Sequence, residues 1–531
     1  MLDFLESLTG SSDRHPLHSV EATAGVIAQL PAKDMLRALG EIAQWLRSVA
    51  EAAGFKPSTR FAVVSLLEDA ARVPEHALLL RYFKDPRPRN ASGRVAWSAV
   101  HAYWTALAAA YQRAALEELP QVVAGETARG AHAAVASRAL RARVGAMRIA
   151  MLHYEPLGEA AWRGLYAVFA RCEQAGIATA PARAFPSERY HTTPLLELMN
   201  ALLVAVAAPE RLPPEEVEAA YRIARRFASA ARLEAAPFEG ATHSIDLARG
   251  APPVRLAPGA AASPGTRFFG APKALANLEH MITNQELFLL DEDERLAAEY
   301  SPGQKVTVLR QFMRYWSAQP PPHERGVVRL EGGLSVAHGF HALCQQLPHL
   351  ASHAPGQLAD QETPEPPETW PERDAGLHIV HAQAGPDAGG WAEVGSLAGI
   401  RIHDRKDWWV AAIRRLKQGQ GGTLLAEFEV LSRKPFSAWL RILGPEDRMA
   451  ANWESASGSF RYQHVEVVVL TDAPAKPGGP PMLILPKGTF VPRQVVELLH
   501  GERSRTLKLT EFLEQGKDYD RCAFEWMKSK R

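Results

Sequence analysis

The sequence is poor in cysteine, with three in 531 residues. Cys172, Cys344 and Cys522 lie far apart, so their spacing fits neither a disulfide framework nor a CxxC metal site. Scattered cysteines of this kind predict buried free thiols in a reducing compartment. A small disulfide-stabilised fold is therefore excluded, and the cytoplasm is favoured.

Long apolar runs and an excess of one charge are also absent. The most apolar stretch, Leu195 to Ala208, contains Glu197 and Asn200 and is shorter than the roughly 20 residues that a bilayer-spanning helix needs. The N-terminus has acidic residues where a signal peptide has basic ones. Lysine and arginine total 60 and aspartate and glutamate 59, a net charge of +1. We therefore expect a cytoplasmic protein with no membrane span and no overall field that attracts nucleic acid.

Catalytic and metal-binding motifs are missing from the sequence as well. It contains no GxxxxGK[ST], HExxH, GxSxG or DxDxDG pattern, and no GxGxxG that follows a strand. His338 and His341 form an HxxH pattern beside Cys344, but they begin an apparent helix, where this spacing commonly serves packing. The sequence predicts a protein that is not an enzyme and that holds no metal or cofactor.

Hydrophobic periodicity predicts an α+β multidomain chain. Residues 1–235 are typical of an all-helical region, an irregular bundle or array, with an i, i+3, i+4, i+7 apolar stripe in Pro31–Glu51. Residues 236–318 predict a linker with helices. From Val327 onward, short runs of β-branched and aromatic residues predict two small antiparallel β-barrels. We place the first over 319–445, with a Pro- and acid-rich insertion at 351–376, and a second β-rich domain over 446–531.

Arg325 and Arg329 form an RxxxR element that leaves a proline-rich stretch and runs into the first predicted strand. Residues four apart in an extended chain point to the same side. Two guanidinium groups placed in this way can bind phosphates bidentately and stack on purine faces. Gly399–Arg441 adds nine lysines and arginines against four acids, a local net charge of +5. A small polyanion is the ligand class that this pattern favours.

Three later segments resemble the strand series of PilZ domains: Val394–Arg401, Trp408–Leu416 and Glu427–Ser432. Ser335–Leu347 resembles the strand and short helix that follow the arginine loop in that family. The resemblance covers about residues 320–445 and extends to longer bacterial proteins that join a helical region to such barrels. It implies that the first predicted barrel is PilZ-like.

The resemblance also implies a ligand, because PilZ domains bind cyclic di-GMP through an RxxxR loop and a (D/N)xSxxG turn. Arg325 and Arg329 match the loop. Ser396 and Gly399 match the serine and glycine of the turn, and Arg401 follows them, whereas Val394 stands where the family has Asp or Asn. The implied ligand-binding set is Arg325, Arg329, Ser396, Gly399 and Arg401. A serine and a glycine can also simply shape a tight turn.

Two functional hypotheses remain open. The first is a non-enzymatic bacterial signalling protein that binds cyclic di-GMP and thereby changes how its domains dock. The second is a ligand-free structural adaptor whose helical region binds a protein partner, which the valine at position 394 favours. RNA or DNA binding through the basic strands is a minor third hypothesis, which the net charge of +1 disfavours.

Overall fold

The computed structural model describes residues 15–84, 91–119, 123, 125–186, 188–257, 259, 262–291, 293–319, 333–348, 366–375, 378–385, 388–402, 405–442, 463–472, 480–500 and 503–527. The chain forms two units. The first comprises Met1–Pro209 and Pro214–Pro321, and the second comprises Glu210–Pro213 and Pro322–Arg531.

The first unit is built mainly from helices. They are α1 (Val20–Ile27), α2 (Met35–Glu51), α3 (Pro57–Lys84), α4 (Ala91–Glu118), α5 (Glu126–Leu152), α6 (Glu159–Gln174), α7 (Pro194–Val206), α8 (Pro214–Phe227), α9 (Pro272–Thr283), α10 (Glu294–Glu299) and α11 (Pro302–Trp316). Helix α2 shows why the predicted stripe forms a helix. It buries Leu39, Ile42 and Leu46, and the Asp34 side chain caps its N-terminus by accepting from the Arg37 N–H.

Helix α5 is buried along most of its length even though it carries several arginines. Two of its buried guanidiniums pair with a carboxylate on a neighbouring helix, whereas Arg138 donates to the Ala184 carbonyl oxygen and to the Ser65 hydroxyl. Arg141 Nη2 lies 2.5 Å from Glu197 Oε1, and Arg148 Nη1 lies 2.5 Å from Glu218 Oε2. Burial alone would raise the pKa of Glu197, but the charge of Arg141 outweighs that effect and lowers it. Glu197, which interrupts the apolar stretch in the sequence, is thus a buried ion-pair partner.

Residues 236–318 are part of the helical unit. A four-stranded sheet of β1 (Arg232–Glu234), β2 (His243–Asp246), β3 (Val254–Arg255) and β4 (Thr266–Gly270) has the order β1-β4-β2-β3. Helix α11 buries Trp316, whose Nε1 donates to the Leu203 carbonyl oxygen at 3.0 Å. The segment predicted as a linker is therefore packed structure, because it carries large apolar side chains that pair with the helical core.

The first turn of α11 carries a capping box. Ser301 Oγ accepts from the Gln304 N–H at 3.3 Å, and Gln304 Oε1 accepts from the Ser301 N–H at 3.0 Å. We expect Ser301→Ala to destabilise the helical unit by about 1 kcal/mol. Thermal unfolding followed by circular dichroism measures this as a Tm lower by about 2 °C. Ser301→Asp keeps an N-cap acceptor and should melt like the wild type; equal losses in both variants would contradict the capping role.

The second unit contains two closed antiparallel barrels. The first has the strand order β10-β7-β6-β5-β8-β9 and the second β11-β12-β13-β16-β15-β14. The strands are β5 (Gly333–His338), β6 (Glu368–Ala375), β7 (Ile379–Ala384), β8 (Leu397–Ile402), β9 (Trp409–Gln418), β10 (Leu424–Ser432), β11 (Phe436–Ile442), β12 (Gln463–Leu470), β13 (Met482–Pro486), β14 (Val495–His500), β15 (Arg503–Gln515) and β16 (Tyr519–Trp526). Helix α12 (Phe340–Gln346) follows β5. The predicted fold class, a helical region followed by two small barrels, is confirmed.

Two barrel boundaries differ from the sequence prediction. Strand β11 pairs with β12 and β14, so it opens the second barrel, although the prediction placed it in the first. The connection from β10 to β11 is too short to look like a domain boundary. Strand β6 lies within the predicted insertion 351–376, which is therefore too long at its C-terminal end. Trp370 of β6 is fully buried despite the acids and prolines around it.

Two sequence predictions concern the state of the cysteines and the presence of a membrane-spanning helix. Cys172, Cys344 and Cys522 are buried free thiols, as predicted. Over the described ranges, no helix combines the length and the apolar character needed to cross a bilayer.

Candidate functional site

The turn that contains Ser396 precedes β8. Ser396 is 6% exposed, and its Oγ accepts from the Glu393 N–H at 3.3 Å. Gly395 has a φ of +89°, a conformation that glycine adopts without strain, and its N–H donates to the Ile413 carbonyl oxygen at 2.8 Å. Val394, at the position of the family's Asp or Asn, is 5% exposed. The hydroxyl of Ser396 therefore shapes this turn from within.

The same turn contacts the second barrel. The Lys517 N–H donates to the Gly395 carbonyl oxygen at 2.8 Å, and Asp518 Oδ1 accepts from the Leu397 N–H at 2.9 Å. Lys517 Nζ also lies 2.6 Å from Glu393 Oε2. Residues 516–518 join β15 to β16. The β15–β16 loop of the second barrel therefore hydrogen-bonds to backbone groups of the Ser396 turn in the first barrel. A ligand could reach those groups only if the two loops separated.

Asp518 gives this joint a pH dependence. Burial raises its pKa to about 6, from an ordinary value of 3.8. Between about pH 4 and 6 the folded protein keeps a proton that the unfolded chain has released, so stability falls as pH rises through this window. Asp518→Asn keeps the acceptor for Leu397 but cannot ionise. We expect it to be more stable than the wild type by about 1–2 kcal/mol at pH 7.5 and equal to it near pH 4.

Urea unfolding at both pH values measures this difference. Asp69→Asn, which alters an exposed carboxylate of the helical unit, is the control and should leave the pH dependence of the wild type unchanged. An Asp518→Asn variant that loses stability between pH 4 and 7.5 as steeply as the wild type would show that this carboxyl does not titrate near pH 6.

Gly399 lies in β8, beneath helix α12. A Cβ atom at this position would stand 2.9 Å from Leu343 Cδ1 and 3.4 Å from Trp408 Cε3. The glycine therefore allows close packing between the helix, the strand and the indole. Leu343 and Trp408 belong to the apolar cluster that also includes Val468 and Tyr519 of the second barrel. Gly399 is part of this packed layer.

Arg414 connects the two barrels through a network of charges. Its Nε donates to Glu429 Oε2 at 2.5 Å, and its Nη2 donates to Glu514 Oε2 at 2.9 Å. Tyr519 and Arg521 also contact Glu514, at 3.0 and 2.9 Å. Burial alone would raise the pKa of Glu514, but the charge and hydrogen bonds of Arg414 outweigh it and lower the pKa to about 2. Arg414 is therefore a structural ion-pair partner, as is Arg441, which pairs with Glu497.

Arg401 lies at the other end of β8 from the Ser396 turn. Its guanidinium carbon is 4.8 Å from the centre of the Trp408 ring, and its Nη2 donates to Ser335 Oγ at 3.4 Å. Five residues separate Arg401 from Ser396, which corresponds to about 16 Å along a strand. The structure therefore does not bring these two predicted ligand residues together.

A second arginine–tryptophan contact lies at the same barrel end. The guanidinium carbons of Arg405 and Arg433 lie 5.3 and 4.6 Å from the centre of the Trp409 ring. Trp409 pairs with Ile400, whereas Trp408 packs on Gly399, so the two tryptophans serve opposite faces of the sheet. We call the residues Arg401, Arg405, Trp408, Trp409 and Arg433 the arginine–tryptophan rim.

The rim is basic. Among the described residues of 401–407 and 433–434, and with Asp472, there are five lysines and arginines and two aspartates, a net charge of +3. Asp472 accepts from the Arg433 and Lys434 backbone N–H groups, each at 3.0 Å, and so holds the β10–β11 connection. No described carboxylate forms an ion pair with Arg401 or Arg405. These two guanidiniums can therefore take part in binding an anion.

Strand β5 begins at the rim, because its residue Leu334 pairs with Ile402 at the end of β8. Arg325 and Arg329 lie outside the described residues. Of the predicted ligand residues, Arg401 is the one that the described structure places at this end of the barrel.

The two histidines of the HxxH pattern contact an aromatic ring and a carboxylate. His338 stacks on Trp391 with ring centres 4.8 Å apart, and His341 Nδ1 lies 3.4 Å from Glu466 Oε2. Burial raises the pKa of the Cys344 thiol well above its usual range. Groups of three or more metal-ligating side chains do not occur in the part of the chain that the structure describes.

Two family models match the chain. Residues 21–237 match the model described as the N-terminal domain of the cyclic-di-GMP receptor FimW. Residues 469–527 match the model described as the FimW C-terminal beta-barrel domain. The chain is similar to FimW in both of these segments. The first FimW match extends from α1 past α8, and the second covers β13 to β16 of the second barrel.

The first barrel, with the rim, lies between the two segments that match FimW. No curated protein and no solved structure matches the chain significantly. The evidence for a site at the rim is therefore the geometry of this chain. The FimW matches concern the segments before and after the first barrel.

Sequence reasoning missed Trp408 and Trp409 as arginine partners, and it missed the docked loop at Asp518. The arginine–tryptophan contacts did leave a signal in the sequence. The arginines lie close to the two tryptophans (Arg401 and Arg405) or follow β10, the strand that pairs with β9 (Arg433). The docked loop left no signal in the sequence, since Leu397 and Asp518 are 121 positions apart.

Proposed function

We propose that this protein is a non-enzymatic cyclic di-GMP receptor that acts in signalling. The support for the ligand comes from FimW, whose N-terminal model is described as a cyclic-di-GMP receptor and whose two domain models match this chain on both sides of the first barrel. The support for the position comes from the rim, where the guanidiniums of Arg401 and Arg405, which form no ion pair with a described carboxylate, lie beside indole rings. Guanine bases stack on such groups, and phosphates accept from them.

In this proposal the first barrel is PilZ-like and binds the ligand at the rim. Arg401 supplies one guanidinium, and Arg325 and Arg329, which precede β5 in the sequence, supply the others. Ser396 and Gly399, which the resemblance to PilZ domains assigned to the ligand, act instead on the turn and on packing. The observation that carries this position is the contact of Arg401 with Trp408 at the barrel end where β5 begins.

Isothermal titration calorimetry of the full-length protein with cyclic di-GMP tests the proposal. We expect saturable binding that Arg325→Ala or Arg329→Ala abolishes. The linear dinucleotide pGpG and GTP are controls for the cyclic form. Absence of heat, together with an unchanged Tm at saturating cyclic di-GMP, would contradict the proposal.

A second candidate function, a ligand-free adaptor, is favoured by the loop that occupies the Ser396 turn and by the buried Val394. In that case the helical region binds a protein partner. A stable complex that forms equally well with the wild type and with Arg329→Ala, in the absence of any response to cyclic di-GMP, is the result that distinguishes this candidate from a receptor.

A further inference from the structure

The helical unit contains a pocket of about 330 Å³. It is lined by three carboxylates, three aromatic rings and one arginine: Glu68, Glu75, Glu188, Tyr103, Trp104, Phe185 and Arg72. The formal charge of this lining is 1 − 3 = −2. Arg148 and Arg141 lie within ion-pair distance of Glu75 and Glu188, so the hydrogen-bonding groups of the pocket, and not its net charge, decide what can bind. The pocket is independent of the receptor proposal.

The hydroxyl of Tyr103 is the feature that points to a ligand. The residue is 3% exposed and lines the pocket. No described residue forms a hydrogen bond with this hydroxyl. Burial, and then the charges of Glu68 and Glu75, raise the pKa of Tyr103 well above its usual range. The phenol therefore stays protonated near two carboxylates, and its hydrogen-bonding capacity is left for a bound molecule, since a buried polar group normally has a partner.

The carboxylates are held in place by neighbouring donors. Glu75 Oε1 accepts from Trp104 Nε1 at 3.0 Å, and Glu68 Oε2 accepts from the Tyr111 hydroxyl at 2.5 Å. Glu188 pairs with Arg141, and its Oε2 has no hydrogen-bond partner among the described residues. A buried carboxylate oxygen without a donor, close to the Tyr103 hydroxyl, favours a ligand that carries several donors.

The aromatic rings that line the pocket, Phe185 and Trp104, favour a planar donor group. The guanidinium carbons of Arg138 and Arg72 lie 4.3 and 5.6 Å from the centre of the Phe185 ring, and that of Arg148 lies 5.3 Å from the centre of the Trp104 ring. The same rings thus already stack with planar cations of the protein itself. A guanidinium fits both the flat walls and the carboxylates, whereas an ammonium group uses only the charge.

We propose that this pocket binds a guanidinium group, carried either by a free small molecule or by an arginine side chain of a peptide. The guanidinium donates to Glu75 and Glu188 and to the oxygen of the Tyr103 hydroxyl, and it takes the place of Arg72 at the Phe185 ring. Arg72, which is more than half exposed, lies at the pocket and can move to admit the ligand.

Calorimetry on the full-length protein tests this proposal with agmatine and N-acetyl-arginine amide as probes. Both should bind, and putrescine, which carries ammonium groups only, should bind at least 10-fold more weakly. Tighter binding of agmatine indicates a free small molecule as the natural source of the group, and tighter binding of the blocked arginine indicates a peptide.

Tyr103→Phe is the decisive variant, because it removes only a hydroxyl that has no hydrogen-bond partner among the described residues. We expect its Tm to equal that of the wild type and its affinity for the better probe to fall about 10-fold. Glu75→Gln, which keeps the acceptor for Trp104, should weaken binding further, while Glu41→Gln on an exposed pair is the matched control. Absence of heat with both probes, unchanged affinity in Tyr103→Phe, or putrescine binding as tightly as agmatine would each overturn the proposal.

Discussion

Replacement of Arg414 by alanine is expected to lower the free energy of unfolding of the second unit by about 3 kcal/mol. The guanidinium lies between Glu429 and Glu514, and its loss leaves Glu514 largely buried without its main partner. Removing one member of a buried pair costs about 3–5 kcal/mol. The lower end applies, because a quarter of the Arg414 side chain remains accessible.

Urea unfolding followed by tryptophan fluorescence measures this loss. The double variant Arg414→Ala/Glu514→Gln should recover part of it, since the neutral amide is cheaper to bury than the carboxylate. Arg37→Ala, at a pair whose arginine is 71% exposed, should cost less than about 1 kcal/mol. A loss of that small size for Arg414→Ala as well would mean that the network does not hold the two barrels together.

The same network predicts how the second unit responds to acid. Glu514 has a pKa of about 2 in the folded protein against 4.5 in model peptides, so its contribution is complete above about pH 5 and declines as pH falls through 4.5 towards 2. Asp518 lowers the stability as the pH rises from about 4 to 6, because its pKa is raised in the folded protein. The two carboxyls of the joint thus produce a stability maximum between their titration ranges, near pH 4–5.

Arg401→Ala is expected to weaken cyclic di-GMP binding by about 30-fold. A hydrogen bond from a charged donor contributes about 1.5–3 kcal/mol, which corresponds to a factor of about 10 to 150 in affinity. Stacking on Trp408 holds the guanidinium in one orientation before the ligand arrives, so little entropy is lost on binding.

Two further variants separate charge from geometry. Arg401→Lys keeps the charge but not the planar donor set, and we expect it to recover less than half of the lost binding free energy. Arg441→Ala is the matched control, because it removes an arginine of the same unit that is paired with Glu497 and lies outside the rim. Equal affinities for Arg401→Ala and the wild type would remove Arg401 from the site.

Much of the fold follows from local sequence patterns. The β-rich character of the second barrel is predictable from the sequence, because its strands include apolar runs bounded by glycine, proline or charge, as in Met482–Pro486. The boundary between the barrels was not predictable. Only three residues separate β10 from β11, and the assignment of β11 depends on its pairing with β12 and β14.

The candidate site was predictable only in part. The motif comparison selected Arg401, which lies at the barrel end where β5 begins, and it also selected Ser396 and Gly399, which lie elsewhere. Their surroundings come from residues far along the chain, such as Lys517 for the turn and Leu343 for the glycine. Tertiary contacts of this kind have no local signature, so a motif can match in sequence while its groups are already occupied.

Hydrogen exchange of the full-length protein, measured with and without saturating cyclic di-GMP, tests the receptor proposal and its position together. The proposal predicts slower exchange in the first residues of β5, at the end of β8 and in residues 405–410, with no change in the helical unit's pocket around Tyr103. Slower exchange confined to residues 393–397 and 516–519, or no change anywhere in the first barrel, would contradict it.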